Sequence, residues 1–401
     1  MSSAVADPMT VPERKTPLGP RLIAAFEGRF HSVPVLIVLA GIWIYFYTQN
    51  DAYLSSRNIT NLALQIVTTA VLALGIVFVL LVGEIDLSAA ALSGVCATIA
   101  ANQAVNHGWA LAAALIFALV VGLFAMFIQA IVVAFGVPSL VVTLGGSIVF
   151  QGLLLDVLPP TFAVNVGGTR FADLTTTHIS TPIAFAIGGV GWLVYAVTAW
   201  RRESAAGERR STAQWAGLFA PIVVCAVVVF GGIAVLANND GLPLPILILA
   251  AMLIVASYVT TRTRYGVHLY AVGGNREAAK RAGIPVTRMV IYSFLVLGFC
   301  AVVAGVLEAS RLYGVSNSSG GGPLMLNAIA AAVVGGASLF GGRGSVWAAL
   351  LGALVIGSIS NGVQLLGYSV QVQDFATGGV LVLAVAMDVV ITRGSLLPQR
   401  R

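Results

Sequence analysis

Twelve stretches of predominantly apolar residues occupy most of this chain, and they limit what it can fold into more than any other feature. They lie near 34–48, 62–82, 87–105, 109–135, 138–157, 182–200, 214–237, 243–260, 288–309, 325–341, 345–366 and 372–392. A membrane-spanning helix takes about 20 such residues. Only 9% of the 401 residues are charged while 58% are hydrophobic, against roughly 25% charged in a soluble domain. A chain with so few polar groups cannot cover a water-facing surface, so its solvent is lipid. In hydrocarbon every backbone N–H and C=O must be satisfied internally, which for runs of this length means helices. The expected fold class is therefore an all-α integral membrane protein, a polytopic bundle of about twelve spans. The runs at 87–105 and 325–341 are rich in Gly and Ala and are expected to be broken or re-entrant.

The formal net charge of +6 would raise nucleic acid as a partner in a soluble protein. Here the basic residues sit in a few short segments between apolar runs, the pattern that sets membrane topology, so nucleic acid is excluded. With twelve spans and the N-terminus inside, eighteen of the twenty-one Lys and Arg residues face the cytoplasm, and only Arg57, Arg170 and Arg311 face out. Losing one span would scatter these clusters over both sides, so an even count is favoured. Both termini are expected in the cytoplasm and the chain in the plasma (inner) membrane. Residues 1–32 are polar and basic, lack a small-residue cleavage pattern and read as a cytoplasmic tail. Residues 33–401 form a single transmembrane domain, with a polar outer loop at 158–181 and the main inner loop at 261–287.

Cys96, Cys225 and Cys300 all lie in apolar runs without CxxC spacing, so they read as small buried hydrophobes, and no metal site is expected. Two segments resemble each other, Gly122 to Gly146 and Gly352 to Gly379. Each has a glycine-led helix, a mid-helix amide (Gln129, Asn361), a break at Phe-Gly or Leu-Gly, and a closing Gly-Gly pair. Internal repeats are common in transporters, with the substrate route at their interface.

The inner loop reads TRTRYGVHLYAVGGNREAAKRAGIPVTRM. Asn275 suits a helix N-cap, Glu277 follows in the first turn, and Gly283 with Pro285 stops the helix. A short helix with a small-residue face suits docking into a groove on a cytosolic partner. A basic loop that only fixes topology would need no such helix, and the residues alone leave both readings open.

Glu277-Ala278-Ala279 followed by Gly283 resembles the EAA…G coupling loop of ABC-importer permeases. Further stretches resemble the monosaccharide permease family that includes the ribose and xylose importers. They are Arg57-Asn58-Ile59-Thr60-Asn61, Gly83-Glu84-Ile85-Asp86-Leu87-Ser88, Val137-Pro138-Ser139 with Thr143-Leu144-Gly145, and Tyr270-Ala271-Val272-Gly273-Gly274-Asn275. Ala309-Ser310-Arg311, Leu326 to Ala331 with Gly335-Gly336, and Ser360-Asn361-Gly362 complete the set. The extra pair of spans near 182–237 is similar to the longer, xylose-type branch. Glu84 departs from the family pattern, which has glycine there.

The resemblance implies a small sugar as cargo, a pentose such as D-xylose, and a system of partners. A second copy of the permease, in a homodimer, forms the pore. A cytosolic ABC ATPase docks on Glu277, Ala278, Ala279 and Gly283, and an extracytoplasmic binding protein delivers the sugar. ATP and Mg belong to the ATPase subunit, so this chain is expected to hold no cofactor and to be a transport subunit without enzymatic activity of its own. Its only lysines, Lys15 and Lys280, are not preceded by glycine, so a phosphate-binding P-loop is absent.

A neutral sugar needs hydrogen-bonding partners without fixed charge, and polar groups within spans are costly unless they face the bundle interior or water. Gln65, Gln151, Asn327 and Asn361 are the favoured pathway residues, the competing role for each being amide glue between helices. Asp86 is expected to cap the start of the helix that follows it. Three other functions remain open: an ABC permease for a nucleoside, amino acid or furanose signal, an ion-coupled secondary sugar transporter, and a non-transporting membrane sensor.

Overall fold

The computed structural model describes residues 33–204, 212–238 and 241–394. The expected tail at 1–32 lies outside the described residues. The helices are α1 (Val33–Gln49), α2 (Ser56–Leu81), α3 (Ala89–Val105), α4 (Leu111–Ala134), α5 (Ser139–Val157), α6 (Asp173–Thr176), α7 (Thr181–Ser204) and α8 (Thr212–Ala237). They continue as α9 (Leu244–Arg262), α10 (Arg264–Gly274), α11 (Arg276–Arg281), α12 (Val286–Arg311), α13 (Gly322–Val334), α14 (Trp347–Leu365) and α15 (Val370–Gly394). Four short strands interrupt them: β1 (Ala163–Asn165), β2 (His178–Ile179), β3 (Leu242–Pro243) and β4 (Gly314–Ser316).

Each of the twelve apolar runs is a helix. Among the described residues, eight helices are long and apolar enough to cross a membrane, and the apolar helices α3 and α13 are shorter. The protein is an all-helical, multi-pass membrane protein. The two runs expected to be broken are indeed short, α3 with 17 residues and α13 with 13. Thirteen residues rise only about 20 Å, less than the roughly 30 Å hydrocarbon core. A non-helical stretch precedes α3 at 82–88, and another follows α13 at 335–346.

The centre of the bundle is α2 packed on α12. Of the most apolar window, 83% is buried in α2 and 67% in α12, against 17% in α5 and 6% in α7. Lipid gives apolar helices no reason to seek each other, so close approach of small residues must supply the contact. A side chain at Gly75 of α2 would lie 2.8 Å from both Leu297 and Cys300 of α12. Cys96 and Cys300 are buried as expected, whereas Cys225 is only half-buried. The extra pair, α7 and α8, forms a peripheral hairpin held by a Phe185–Phe230 stack (6.2 Å) and by the Trp192 indole donating to the Ile222 carbonyl (3.0 Å).

Contacts sort the helix ends into two sets. At one end α10, α11 and the breaks at 82–88 and 335–346 meet. At the other, β1 pairs antiparallel with β4 and β2 with β3. The segment 158–181, expected as a polar loop, is thus a folded cap: Val164, Val166 and Phe171 are buried, and the pairing registers Val164 against Val315. The two resembling segments share one local build. In each, a helix ends at a left-handed glycine (Gly136, φ 100°; Gly367, φ 66°), two residues follow, and a new helix starts. Because α4 runs toward the α11 end and α14 away from it, the two segments cross the bundle in opposite directions.

Candidate functional site

The inner loop 261–287 holds two helices where the sequence pointed to one. α10 is amphipathic: Leu269 and Val272 are buried against the bundle, and the Thr263 hydroxyl accepts from the Gly266 N–H at its start (3.4 Å). Next comes α11, capped by Asn275, whose Oδ1 accepts from the Ala278 N–H (2.9 Å). It ends in a Schellman motif: the Gly283 N–H bonds the Lys280 carbonyl and the Ile284 N–H bonds the Ala279 carbonyl, each at 3.0 Å, with Gly283 at φ 79°. That conformation costs a residue with a Cβ roughly 1–2 kcal/mol, which is why glycine stands there. Ala279 is buried and anchors the helix, while Glu277, Ala278 and Gly283 are exposed. The residues expected to couple therefore lie on one short helix, with an anchored and a free side, and on the glycine that stops it.

The same end carries most of the described positive charge. Arg262, Arg264, Arg276, Lys280, Arg281, Arg288 and Arg343 flank α10–α12 and the 335–346 break, whereas Arg57, Arg170 and Arg311 belong to the sheet end.

Beneath α11 lies a junction that the sequence did not reveal. The Gly342 N–H donates to the Leu81 carbonyl (3.1 Å), closing the 335–346 break onto the end of α2. A Cβ at Gly273 would collide with the same carbonyl, and one at Gly341 would lie 2.8 Å from the Gly83 Cα. Three segments thus touch backbone to backbone. Arg276, the first residue of α11, donates to Glu84 Oε1 at 2.6 Å. Just beyond, Asp86 caps α3 as expected, accepting from the Ser88 and Ala89 N–H groups at 2.7 and 2.8 Å. Ser88 also donates to Gln129 Oε1 of α4 (3.1 Å), and Ser139 of α5 accepts from the Ile85 N–H (3.2 Å). The 82–88 break is therefore held by polar contacts on every side.

The four pathway candidates are not gathered in one place. Gln65 lines a cavity of about 330 Å³ at the sheet end, with Asn61, Leu64, Thr175, Thr176, His178, Arg311 and Tyr313. That volume lies in the range of small-molecule sites. Gln65 Oε1 and Arg311 Nε are buried there without a protein partner, and Tyr313 holds an uncommon left-handed backbone (φ 56°). Asn361 is buried elsewhere and accepts from the Asn58 side-chain amide (2.8 Å), tying α14 to α2. Asn327 on α13 is half-buried, and Gln151 on α5 is exposed.

Comparison with known proteins agrees with this architecture. The family described as branched-chain amino acid transport system / permease component matches residues 58–385. The chain is similar to the xylose transport system permease protein XylH of Escherichia coli K12, 35% identical over 90% of this chain and 92% of that one. It is also similar to the ribose import permease protein RbsC of the same organism (29%, 89% and 92%). A third relative is the autoinducer 2 import system permease protein LsrC of Yersinia pseudotuberculosis (29%, 84% and 78%). No solved structure matches the chain. With the family match running from the start of α2 into α15 and a relative above 30% identity aligned almost end to end, this chain belongs to the branched-chain amino acid transport system permease family.

Proposed function

We propose that the chain is the permease subunit of an ATP-driven ABC importer for a small sugar, with a pentose such as D-xylose as its cargo. The observation that carries the reading is α11: a capped, glycine-terminated helix with Ala279 buried and its outer side free, standing at the basic end of the bundle. Basic segments face the cytoplasm in membrane proteins, so this end is the cytoplasmic one. α1 begins there and α15 ends there, which supports assigning both termini to the cytoplasmic side of the cell membrane. A cytosolic ABC ATPase docks on Glu277, Ala278, Ala279 and Gly283 and supplies ATP and Mg. An extracytoplasmic binding protein meets the sheet end, and a second copy of the chain completes the pore. The names of the xylose and ribose relatives support the sugar, as do the amides on the proposed route.

In this reading Gln65 receives sugar hydroxyls in the outer cavity, and Gln151, Asn327 and Asn361 serve further along the path. The test is reconstitution with an ABC ATPase and a sugar-binding protein from the same organism, followed by ATP-dependent uptake of labelled pentoses, hexoses and amino acids. Movement of an amino acid and of no sugar would replace the sugar by the cargo in the family's description. Uptake that survives removal of the ATPase would replace ATP drive by ion coupling.

Gly283 separates docking from folding. A Cβ there meets nothing within 4 Å in this chain, so a side chain at this position starts out into open space, toward a docking partner. Gly283→Ala carries the backbone cost alone, about 1–2 kcal/mol, while Gly283→Trp adds obstruction. The expected result is modest loss of uptake for the first and more than tenfold loss for the second, with equal amounts of both in the membrane. Equal uptake by the two variants would remove the docking assignment.

A further inference from the structure

The ion pair between Arg276 and Glu84 joins two elements that transport must move together. Arg276 opens α11, the proposed ATPase-docking helix, and Glu84 lies in the break between α2 and α3. Their separation is 2.6 Å, with the Glu84 side chain 9% exposed and that of Arg276 47%. A carboxylate this deep in a membrane protein is costly unless it is paired, so Arg276 is held in place and not merely attracted. Around the pair, Gly83, Gly273, Gly341 and Gly342 bring the backbones of the α2–α3 break, the α10–α11 joint and the α13–α14 break into contact. Displacing α11 therefore displaces both breaks at once.

We propose that Glu84–Arg276 is a transmission link, two positioning residues that carry motion of the docking helix into the broken helices α3 and α13. Glycine at position 84 would leave only the backbone contacts. The carboxylate adds a directional, charge-assisted bond, so in this chain the docking helix and the break move as one piece. The link stays closed through the transport cycle. It rests on the reading of α11 as the docking helix.

The test uses the complete complex of chain, ATPase and binding protein in proteoliposomes, with E84Q, R276Q and the E84Q/R276Q pair. Three quantities are read: co-purification of the ATPase, ATP hydrolysed, and sugar taken up per ATP. Each single variant should keep the ATPase bound and lower sugar per ATP about tenfold. The double variant should be no worse than either single, because residues acting through one bond are not additive. A structural defect would lower protein yield and hydrolysis in proportion and leave sugar per ATP unchanged. To guard against misfolding of the singles, E84C/R276C is joined by a bis-methanethiosulfonate linker long enough to replace the two side chains, each cysteine thiolate displacing a sulfinate to form a reducible disulfide. Linking should restore sugar per ATP, and reducing the linker should remove it again. Unchanged sugar per ATP in the singles, additive losses in the double, or a linked complex that is dead would each overturn the link. An ATPase that does not co-purify even with the unaltered chain would instead overturn the docking reading, and the link with it.

Discussion

The two ends of the bundle are closed by different means. At the α11 end, three segments are fastened by glycine-to-backbone contact, one amide–carbonyl bond and one ion pair. At the sheet end, two-stranded pairings and a hydroxyl cluster do the work: Ser310 donates to the Ala172 carbonyl (3.0 Å) and accepts from the Thr175 N–H (3.1 Å). The first arrangement is built to carry displacement in the proposed transporter, because touching backbones do not slide freely past each other and the buried Glu84 carboxylate favours keeping its partner. The second is a lid fastened at several weak points, suited to a mouth that opens for a solute. In the proposed transporter these correspond to the driven end and the receiving end.

The largest effect should follow filling the backbone contact at the driven end. Gly273→Val places a branched side chain where the Leu81 carbonyl already sits, and neither backbone has room to yield. Transport should fall below detection and the chain should unfold at markedly lower temperature in detergent. Gly274→Val tests the neighbouring position, where a Cβ meets nothing within 4 Å, and it should keep most of the stability. Equal loss from the two would mean that the junction tolerates bulk poorly in general, and the contrast between the ends would lose its basis.

At the receiving end the corresponding loss should be smaller. Ser310 is fully buried, and Ser310→Ala removes its bonds to the Thr175 N–H and hydroxyl and to the Ala172 carbonyl, although that carbonyl still accepts from the Thr175 and Thr176 N–H groups. With those other partners kept, the cost is that of the lost bonds, about 1 kcal/mol, which thermal unfolding of the purified chain will detect. Uptake should survive at reduced cargo affinity, since Thr175 lines the outer cavity. A loss as complete as that from Gly273→Val would show that this end is as rigid as the other.

The two ends were unequally legible in the sequence. Helix count, the short α3 and α13, the Asn275 cap, the Gly283 stop and the Asp86 cap all depend on residues within a few positions of each other, where local rules apply. The glycine junction joins Leu81, Gly273 and Gly342, and nothing local indicates that those segments meet. Glu84 was visible as a departure from the family pattern, but its reason appears only when Arg276 arrives from 192 residues away. The cap at 158–181 did carry a signal: Val164, Val166 and Phe171 are apolar in a polar stretch, and α10 was announced by Leu269 and Val272 one turn apart. Among the pathway candidates, an amide that lines a cavity and one that ties two helices have the same sequence signature. Only Gln65 lines the outer cavity, and Asn361 makes a helix tie.

That ambiguity at Asn361 can be resolved by its partner. Asn58 lies seven residues before Gln65 on α2, on the same face and about 10 Å nearer the mouth, and its amide donates both to Asn361 and to the Tyr53 carbonyl (2.8 Å each). Asn361→Leu leaves the Asn58 amide one partner short and should cost about 1 kcal/mol, typical of interhelical polar contacts in membranes. Replacing both by leucine removes donor and acceptor together, which is close to neutral where shape is kept, although the Tyr53 carbonyl then loses its bond and some cost remains. The double variant should unfold at nearly the temperature of the single, so uptake by the two can be compared at equal stability. If Asn361 also serves the cargo, KM should rise severalfold in every variant that lacks it and stay near the original in Asn58→Leu. If the amide is only a tie, KM should follow stability and not the identity of residue 361, leaving Gln65 and Asn61, which line the outer cavity, as the amides placed to meet the sugar.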